Sequence, residues 1–106
     1  MFTYEISEQE QRMVLFFKGD LDIEATERFE EEITPTLLKY TNIVIDFSEV
    51  PFVDSSGIGL LISLINRLRE NPTEVVVENL SEEVQEVFSL LQLPEILGRE
   101  VFADLK

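Results

Sequence analysis

The feature that most constrains this sequence is the run Asn42–Phe47 (NIVIDF), a β-branched stretch without the alternation of a half-exposed strand. Such a run is typical of a central strand that is covered on both faces. A parallel neighbour of this strand must be reached by a crossover connection, which is usually a helix. The sequence on either side therefore decides whether an α/β sheet is possible.

Helical periodicity is present on both sides of this run. From Ile23 to about Leu38 the residues Ala25, Phe29, Ile33 and Leu37 recur every four positions, and glutamates take the other directions, which predicts an amphipathic helix with a solvated acidic face. Pro35 lies inside this pattern and is expected to kink or end the helix nearby.

A second helix is predicted after the run. Ser55–Arg69 carries a broad apolar helical surface with arginines in its last turn, and Asn71-Pro72 is expected to stop it. Ser81 is an expected N-cap for a third helix, since Glu82 and Glu83 follow in the first turn, where the helix dipole favours acids.

The remaining segments add strands. Phe2, Tyr4 and Ile6 alternate with polar residues and predict an edge strand, and Met13–Phe17 predicts a second strand in an antiparallel pair with it. Thr73–Glu78 reads as another buried strand. The tail from Pro94 to Lys106 is expected to form a short packed element on four apolar residues, Ile96, Leu97, Val101 and Phe102.

These elements predict one fold. Their order is β-β-α-β-α-β-α in a single α/β domain, residues 1–106, with a mixed, mostly parallel sheet of four to five strands packed with about four helices. A length of 106 residues fits one domain, and an apolar share of 44 % with eight phenylalanines is ordinary for a folded globule.

Charge limits the partners. With 22 acidic and 8 basic residues the formal net charge is −14, which argues against nucleic acid and against an anionic membrane surface. A protein with a basic or neutral face is the expected partner. The apolar segment Ile58–Ile65 is too short to span a bilayer, and the first ten residues do not resemble a signal peptide, so a cytoplasmic location is expected.

Several chemistries are excluded by composition. The chain has no cysteine and no histidine, which removes disulfides, thiol nucleophiles, imidazole bases and the usual zinc ligand sets. No G-x-S-x-G nucleophile elbow is present. We therefore expect neither an enzyme nor a cofactor or metal. The acids Asp20, Asp22 and Asp54 are of the type that binds Mg²⁺ or Ca²⁺, but dispersed helix caps explain them more simply.

The segment from Pro51 to Gly59 (PFVDSSGIG) passes from an extended stretch into the second helix. Asp54 and Ser55 are both capable N-caps, so the DSSG sequence is explained by a helix start alone. A helix N-terminus also stabilises a phosphate, because its free N–H groups and its dipole favour negative charge. A phosphoserine at this position would change a docking surface without unfolding the domain.

Three segments together resemble a known family: Gly19-Asp20-Leu21-Asp22, Ile43–Phe47 and Val53–Gly59. The sequence is similar to bacterial anti-sigma factor antagonists, which have the STAS fold, over essentially the whole chain. The resemblance implies that Ser55 is phosphorylated by an anti-sigma factor that is itself a serine kinase. It implies that the unphosphorylated form binds this kinase and frees the sigma factor, and that a PP2C-type phosphatase restores the bound state.

The resemblance also suggests residues of a partner-binding surface. Asp22 matches an acidic residue near the phosphoacceptor, where it would contact the kinase, orient the serine, or simply cap a helix. Asp20 is the second acid of the same loop. Asp54 would position the Ser55 hydroxyl, cap the helix, or do both. The expected free form is a monomer, although the sequence says little about oligomeric state.

Ser56 and Gly57 complete the predicted surface. Ser56 is a competing hydroxyl, and only the family pattern favours Ser55 as the acceptor. Gly57 and Gly59 would allow a partner's backbone to approach closely, or would let the helix start pack tightly on the sheet.

Two other readings of the whole chain remain. A receiver domain would be phosphorylated on Asp46 at the end of the central strand, although the opening strand pair argues against that fold. A STAS domain without a phosphorylation switch, acting only as a protein-interaction scaffold, is the main alternative to the antagonist.

Overall fold

The sheet determines where every functional segment lies. A computed structural model describes residues 1–102 and Leu105. The end of the predicted tail element and of the range 1–106, namely Ala103, Asp104 and Lys106, falls outside the described residues. The strands are β1 Thr3–Gln9, β2 Arg12–Lys18, β3 Asn42–Glu49 and β4 Glu74–Glu78.

The strands form one sheet in the order β1-β2-β3-β4, with β1 and β2 antiparallel and the other two pairs parallel. The predicted mixed, mostly parallel sheet is confirmed, with β1 at an edge and β3 inside. A single parallel bridge between Val77 and Phe102 extends the sheet beyond β4. Within residues 1–102, the possible fifth strand is reduced to this one bridge.

Four helical segments follow the predicted order. We number them α1, the composite helix over residues 23–37, α2 Ser55–Leu68, α3 Glu82–Leu90 and α4 Leu93–Leu97; a 3₁₀ turn follows at Arg99–Val101. The predicted bounds of α2 are confirmed to within one residue, and Ser81 caps α3 as predicted, since its hydroxyl accepts from the Val84 N–H.

Helix α1 changes its hydrogen-bond pattern three times. It consists of a 3₁₀ turn Ile23–Ala25, an α turn Thr26–Arg28, a π turn Phe29–Ile33 and a final α turn Thr34–Leu37. The Thr34 N–H donates to the Phe29 carbonyl, five residues back. Pro35 has no N–H and its ring crowds the preceding turn, so the wider turn accommodates it. The helix ends at Leu37, two residues beyond the proline, in agreement with the expected kink or end near Pro35.

The helices pack on one face of the sheet. Ile43, Ile45 and Phe47 of β3 share one apolar core with the buried residues of all four helices, whereas Val14 and Val44, also buried, lie outside that core on the second face. Side chains on both faces of β3 are therefore buried, as expected, although the shared apolar core and the helices that contribute to it lie on one face. Right-handed crossovers that run in the same direction across β2, β3 and β4 put both connecting helices on the same side.

A row of phenylalanine rings runs through this core. Ring centroids lie 5.0 to 6.0 Å apart along the series Phe2, Phe17, Phe47, Phe88 and Phe102, with tilted or edge-to-face contacts. Such pairs add about 0.5–1.5 kcal/mol each beyond the area that they bury. The row joins the N-terminus, the sheet, α3 and the chain's last described segment into one packed unit.

The tail forms the predicted packed element with one exception. Leu97, Val101 and Phe102 are buried, but Ile96 is 59 % exposed, so its assignment to the core was wrong. In the short helix α4 the inward positions are Leu93 and Leu97, four residues apart. Ile96 lies outside this spacing and faces solvent.

Candidate functional site

The start of α2 is a capped helix N-terminus. The Asp54 carboxylate accepts a hydrogen bond from the Gly57 N–H at 2.9 Å, which is the N-cap contact that the sequence allowed. Ser55 is the first helical residue and is exposed, and Ser56 is half-buried. Of the two adjacent serines, Ser55 thus presents its side chain more openly to solvent.

A second loop lies directly against this start. Leu21 and Val53 form an isolated parallel bridge, in which the Leu21 N–H donates to the Phe52 carbonyl at 3.0 Å and the Asp54 N–H donates to the Leu21 carbonyl at 3.2 Å. The structure therefore brings the predicted GDLD and DSSG segments together, although they are more than 30 residues apart in the chain.

Gly57 makes this close approach possible. A Cβ built on Gly57 would lie 2.7 Å from the Leu21 carbonyl carbon and closer still to its oxygen, so no larger residue fits without moving the backbone. Gly57 is buried, so of the two roles considered for it, namely approach by a partner and internal packing, the structure shows packing. A Cβ on Gly59 would meet nothing within 4 Å, so this second glycine is not required by packing.

Two acids of the neighbouring loop lie at the start of α1. The Asp22 carboxylate accepts from the Glu24 N–H at 3.0 Å and caps the 3₁₀ turn, so the capping role considered for it is present. Asp22 is only half-buried and Asp20 is exposed, so both carboxylates reach solvent beside α2. Over the described part of the chain, no three acidic side chains group closely enough to hold a metal ion.

Asp46 is a buried acid that is held by hydrogen bonds within the domain. It is buried, and its two carboxylate oxygens accept hydrogen bonds from the Ser48 N–H at 2.8 Å and from the Asn79 amide at 2.7 Å. Burial alone would raise the pKa of Asp46, but the hydrogen bonds from Ser48 and Asn79 outweigh this effect and lower the pKa. An acid held in this way, on a sheet with an antiparallel first pair, does not match a receiver-type acceptor.

Two apolar residues beside the site were missed by the sequence analysis. Ile23 is 64 % exposed at the start of α1, and Phe52 is 54 % exposed next to the Leu21–Val53 bridge. The sequence offered one indication that Phe52 could be exposed, because this residue lies outside every predicted strand and helix. Periodicity assigns inward and outward directions only within regular elements, so it gave no direction for this side chain.

Membrane insertion finds no support in the helices. None of those within residues 1–102 has both the length and the apolar character that a bilayer crossing requires.

Comparisons with known proteins agree with this architecture. A model of the STAS domain family matches residues 3–106. An anti-sigma-B factor antagonist of Staphylococcus aureus is 26 % identical over 80 residues, which are 74 % of this chain and 74 % of the relative. An anti-sigma-B factor antagonist of Listeria monocytogenes is 26 % identical over 97 residues, covering 90 % and 85 % of the two chains.

Solved structures show the same fold. The unphosphorylated form of the anti-sigma factor antagonist SpoIIAA superposes with a TM-score of 0.75 at 24 % identity, covering 98 % of this chain and 89 % of that one. The phosphorylated form of the Bacillus cell fate determinant SpoIIAA superposes with a TM-score of 0.69 at 22 % identity, covering 98 % and 92 %.

Proposed function

The chain belongs to the STAS domain family, and we propose that it is an anti-sigma factor antagonist whose partner binding is switched off by phosphorylation of Ser55. In this proposal the unphosphorylated form binds an anti-sigma factor serine kinase and so releases the sigma factor. A PP2C-type phosphatase reverses the modification. The chain then acts in the cytoplasm as a binding protein and not as an enzyme, with residues 1–106 as one domain.

The observation that carries the proposal is the exposed Ser55 at the first position of a capped helix of 14 residues. No acidic residue lies in the first turn of α2. Apart from the Asp54 carboxylate at the N-cap, this end of the helix carries no negative charge, so its dipole can stabilise a phosphate on Ser55 beside N–H groups that lack partners within the helix. Phosphorylation would leave the fold intact.

The relatives support a fold that tolerates this modification. SpoIIAA has been solved in an unphosphorylated and in a phosphorylated form, and this chain superposes on both over 98 % of its length. A switch of this kind needs a change of surface and not a change of architecture.

The switch itself is electrostatic. If the partner covers Ser55 with a face that binds nucleotide phosphates, a second phosphate would be buried against like charge. An uncompensated charge at an interface costs about 3 kcal/mol, which weakens binding by roughly 10²-fold. We include Asp20, Asp22, Asp54 and Ser56 with Ser55 in the proposed contact surface, and Gly57 allows the helix start to lie against Leu21.

The acceptor residue is tested by phosphorylation in vitro. The protein is incubated with ATP and, in turn, with each purified anti-sigma factor kinase of the source organism, and the phosphate is located by fragment mass spectrometry. We expect modification of Ser55 in the wild type and in Ser56→Ala, and none in Ser55→Ala. Modification confined to Ser56 or to a distant residue would contradict the site assignment.

The switch is tested by titrating the same kinase with the variants. Ser55→Ala should bind with wild-type affinity and keep that affinity when ATP is present, whereas the phosphorylated wild type should bind about 10²-fold more weakly. Ser55→Asp should also bind weakly. Equal affinities for Ser55→Ala and the phosphorylated protein would count against the electrostatic mechanism and would favour a scaffold without a switch.

A further inference from the structure

We infer that Ile23 and Phe52 are the apolar anchors through which the partner of the Ser55 surface is held, and that this partner presents an apolar pocket rimmed by lysine and arginine. The inference rests on the proposed function, because it describes the same surface and names the chemistry of the face that docks there. It assigns binding energy to Ile23 and Phe52, which are neither the proposed phosphoacceptor nor helix-capping residues.

Phe52 differs from the other phenylalanines of the chain. Six of the eight are buried in the ring row and its neighbours, and Phe16 is half-buried in β2. Phe52 is 54 % exposed. A single exposed apolar residue is normal on a soluble protein. The position is what gives this one a role, because Phe52 lies three residues before Ser55 and next to the bridge that joins the two loops.

Ile23 lies in the other of the two bridged loops. It follows the cap residue Asp22 and lies two residues after Leu21, the partner of Val53 in the bridge. Its side chain is 64 % exposed. The bridge therefore brings together the two backbone segments that carry these exposed apolar side chains, and one of these segments leads into α2.

Both anchors have a backbone that is already held. The Phe52 carbonyl accepts from the Leu21 N–H at 3.0 Å, and the Ile23 carbonyl accepts from the Thr26 hydroxyl at 2.6 Å. Binding would order little more than the two side chains, which keeps the entropy cost of association low. Rigidly presented aromatic residues are the ones that most often dominate the energy of an interface.

The acidic residues around the anchors indicate which charge the partner should carry around its apolar pocket. Asp20, Glu24 and Glu49 are exposed, and each lies within three residues of an anchor in the chain. Such a rim attracts a basic one and repels a second copy of this chain, whose net charge is also −14. The occupant we assign is therefore a protein of opposite local charge, and not a homodimer partner.

Anchors and rim should act on different rate constants. Apolar contacts that form only in the docked complex slow dissociation, whereas exposed charges accelerate encounter and make it depend on salt. This division gives the inference a kinetic signature that a general loss of folding would not produce.

The experiment measures association and dissociation rates between this protein and the purified anti-sigma factor kinase that phosphorylates Ser55. Phe52→Ala should raise Kd by about 10- to 30-fold through faster dissociation, and adding Ile23→Ala should raise it further. Leu90→Ala is the matched control, because Leu90 is 83 % exposed in α3 and is not part of the surface. Its Kd should stay within about twofold of the wild type.

A second pair of variants tests the rim. Asp20→Asn with Glu24→Gln should lower the association rate by about threefold at low salt and flatten its salt dependence, with little change in dissociation. Thermal midpoints of all variants should stay within about 4 °C of the wild type, since each altered side chain is largely exposed and the first-turn charge of Glu24 contributes only about 0.5 kcal/mol.

The outcomes separate this inference from the proposed function. If Ser55 is modified and the wild type binds, but Phe52→Ala binds equally well, the anchors are refuted and the antagonist function stands. Equal weakening by Leu90→Ala would refute the assignment of the anchors to this surface. If none of the kinases binds or modifies the wild type, the proposed function fails and the inference fails with it.

Discussion

Helices α2 and α3 begin with the same capping geometry but differ in the charge of their first turns. The Asp54 carboxylate accepts from the Gly57 N–H at 2.9 Å, and the Ser81 hydroxyl accepts from the Val84 N–H at 3.2 Å, so both caps bond to the third helical residue. This common spacing makes the two starts directly comparable position by position. The differences between the two starts, in charge and in attachment, then indicate the role of each.

The first helical position holds Ser55 in α2 and Glu82 in α3, and the second holds Ser56 and Glu83. Helix α3 thus already carries the negative charges that its dipole favours, whereas α2 has neutral hydroxyls in the same places. A phosphate on Ser55 would supply to α2 the kind of charge that α3 has permanently. The comparison is the reason to expect that the proposed modification at this position leaves the helix stable.

The two starts are also held to the domain by different groups. The backbone carbonyl of Leu21 packs on Gly57 at the start of α2. Near the start of α3, the side chain of Asp46 holds Asn79, which has a positive φ of 62°. One attachment needs a missing Cβ and the other needs an ionised carboxylate, so they should fail under different perturbations.

The largest effect is expected from Gly57→Ala. The new methyl group would overlap the Leu21 carbonyl, and we expect a loss of about 3 kcal/mol, which lowers the Tm by roughly 10–20 °C for a domain of this size. Gly59→Ala is the control in the same helix, because its Cβ meets nothing and alanine favours the helix by about 0.5–1 kcal/mol. Calorimetry that shows equal effects for the two variants would contradict the packing role.

A smaller effect is expected from Asp46→Asn. The amide keeps one acceptor oxygen, so its NH₂ group would face either the Ser48 N–H or the Asn79 amide, and we expect a loss of about 2 kcal/mol at neutral pH, measured by urea unfolding. Because the pKa of Asp46 is lowered in the folded state, its contribution is complete above the unfolded-state pKa of about 4 and disappears as the pH falls through the folded pKa.

The difference between wild type and Asp46→Asn should therefore shrink below about pH 4. Glu74→Gln, which alters an exposed acid on β4, should show no such convergence with pH. A constant difference between wild type and Asp46→Asn down to acid unfolding would show that the carboxylate is not what holds Asn79.

The smallest effects come from exchanging the first-turn charges. Ser55→Glu should stabilise the domain by about 0.5 kcal/mol, and Glu82→Gln should destabilise it by about the same amount. Both are measured by urea unfolding at about 0.15 M salt, which largely screens repulsion from acids more than about 8 Å away but not repulsion from the adjacent Asp54. Destabilisation by both variants would show that the α2 start does not accept negative charge as α3 does.

Local patterns predicted most of the fold and little of the site's construction. The ends of α2 and the central position of β3 follow from apolar spacing and from capping residues within a few positions of one another. The contact between Gly57 and Leu21 joins residues 36 positions apart, and no local rule connects them. The same holds for Phe52, whose exposure depends on where the two loops meet.

The one-sided arrangement of the helices shows a related limit. The sequence predicts that Val44 is buried, but it does not show whether a helix or neighbouring side chains of the sheet cover this residue. Ile96 was placed in the core because it is apolar, yet the short helix α4 turns it outward. The preference for Ser55 over Ser56 came from the resemblance, and the structure adds that Ser55 is the more exposed of the two.

The π turn in α1 accounts for the strict four-residue spacing of its buried residues. In a regular α-helix, a step of four residues overshoots one full rotation by about 40°, so three such steps would carry the last side chain about 120° away from the first. A wider turn advances each residue through a smaller angle and compensates for this drift. Ala25, Phe29, Ile33 and Leu37 can therefore all face the core. Deleting one residue of the π turn would change the spacing of these residues to four, three and four, which a regular α-helix accommodates to within about 20° over three turns, so the stripe should still face the core.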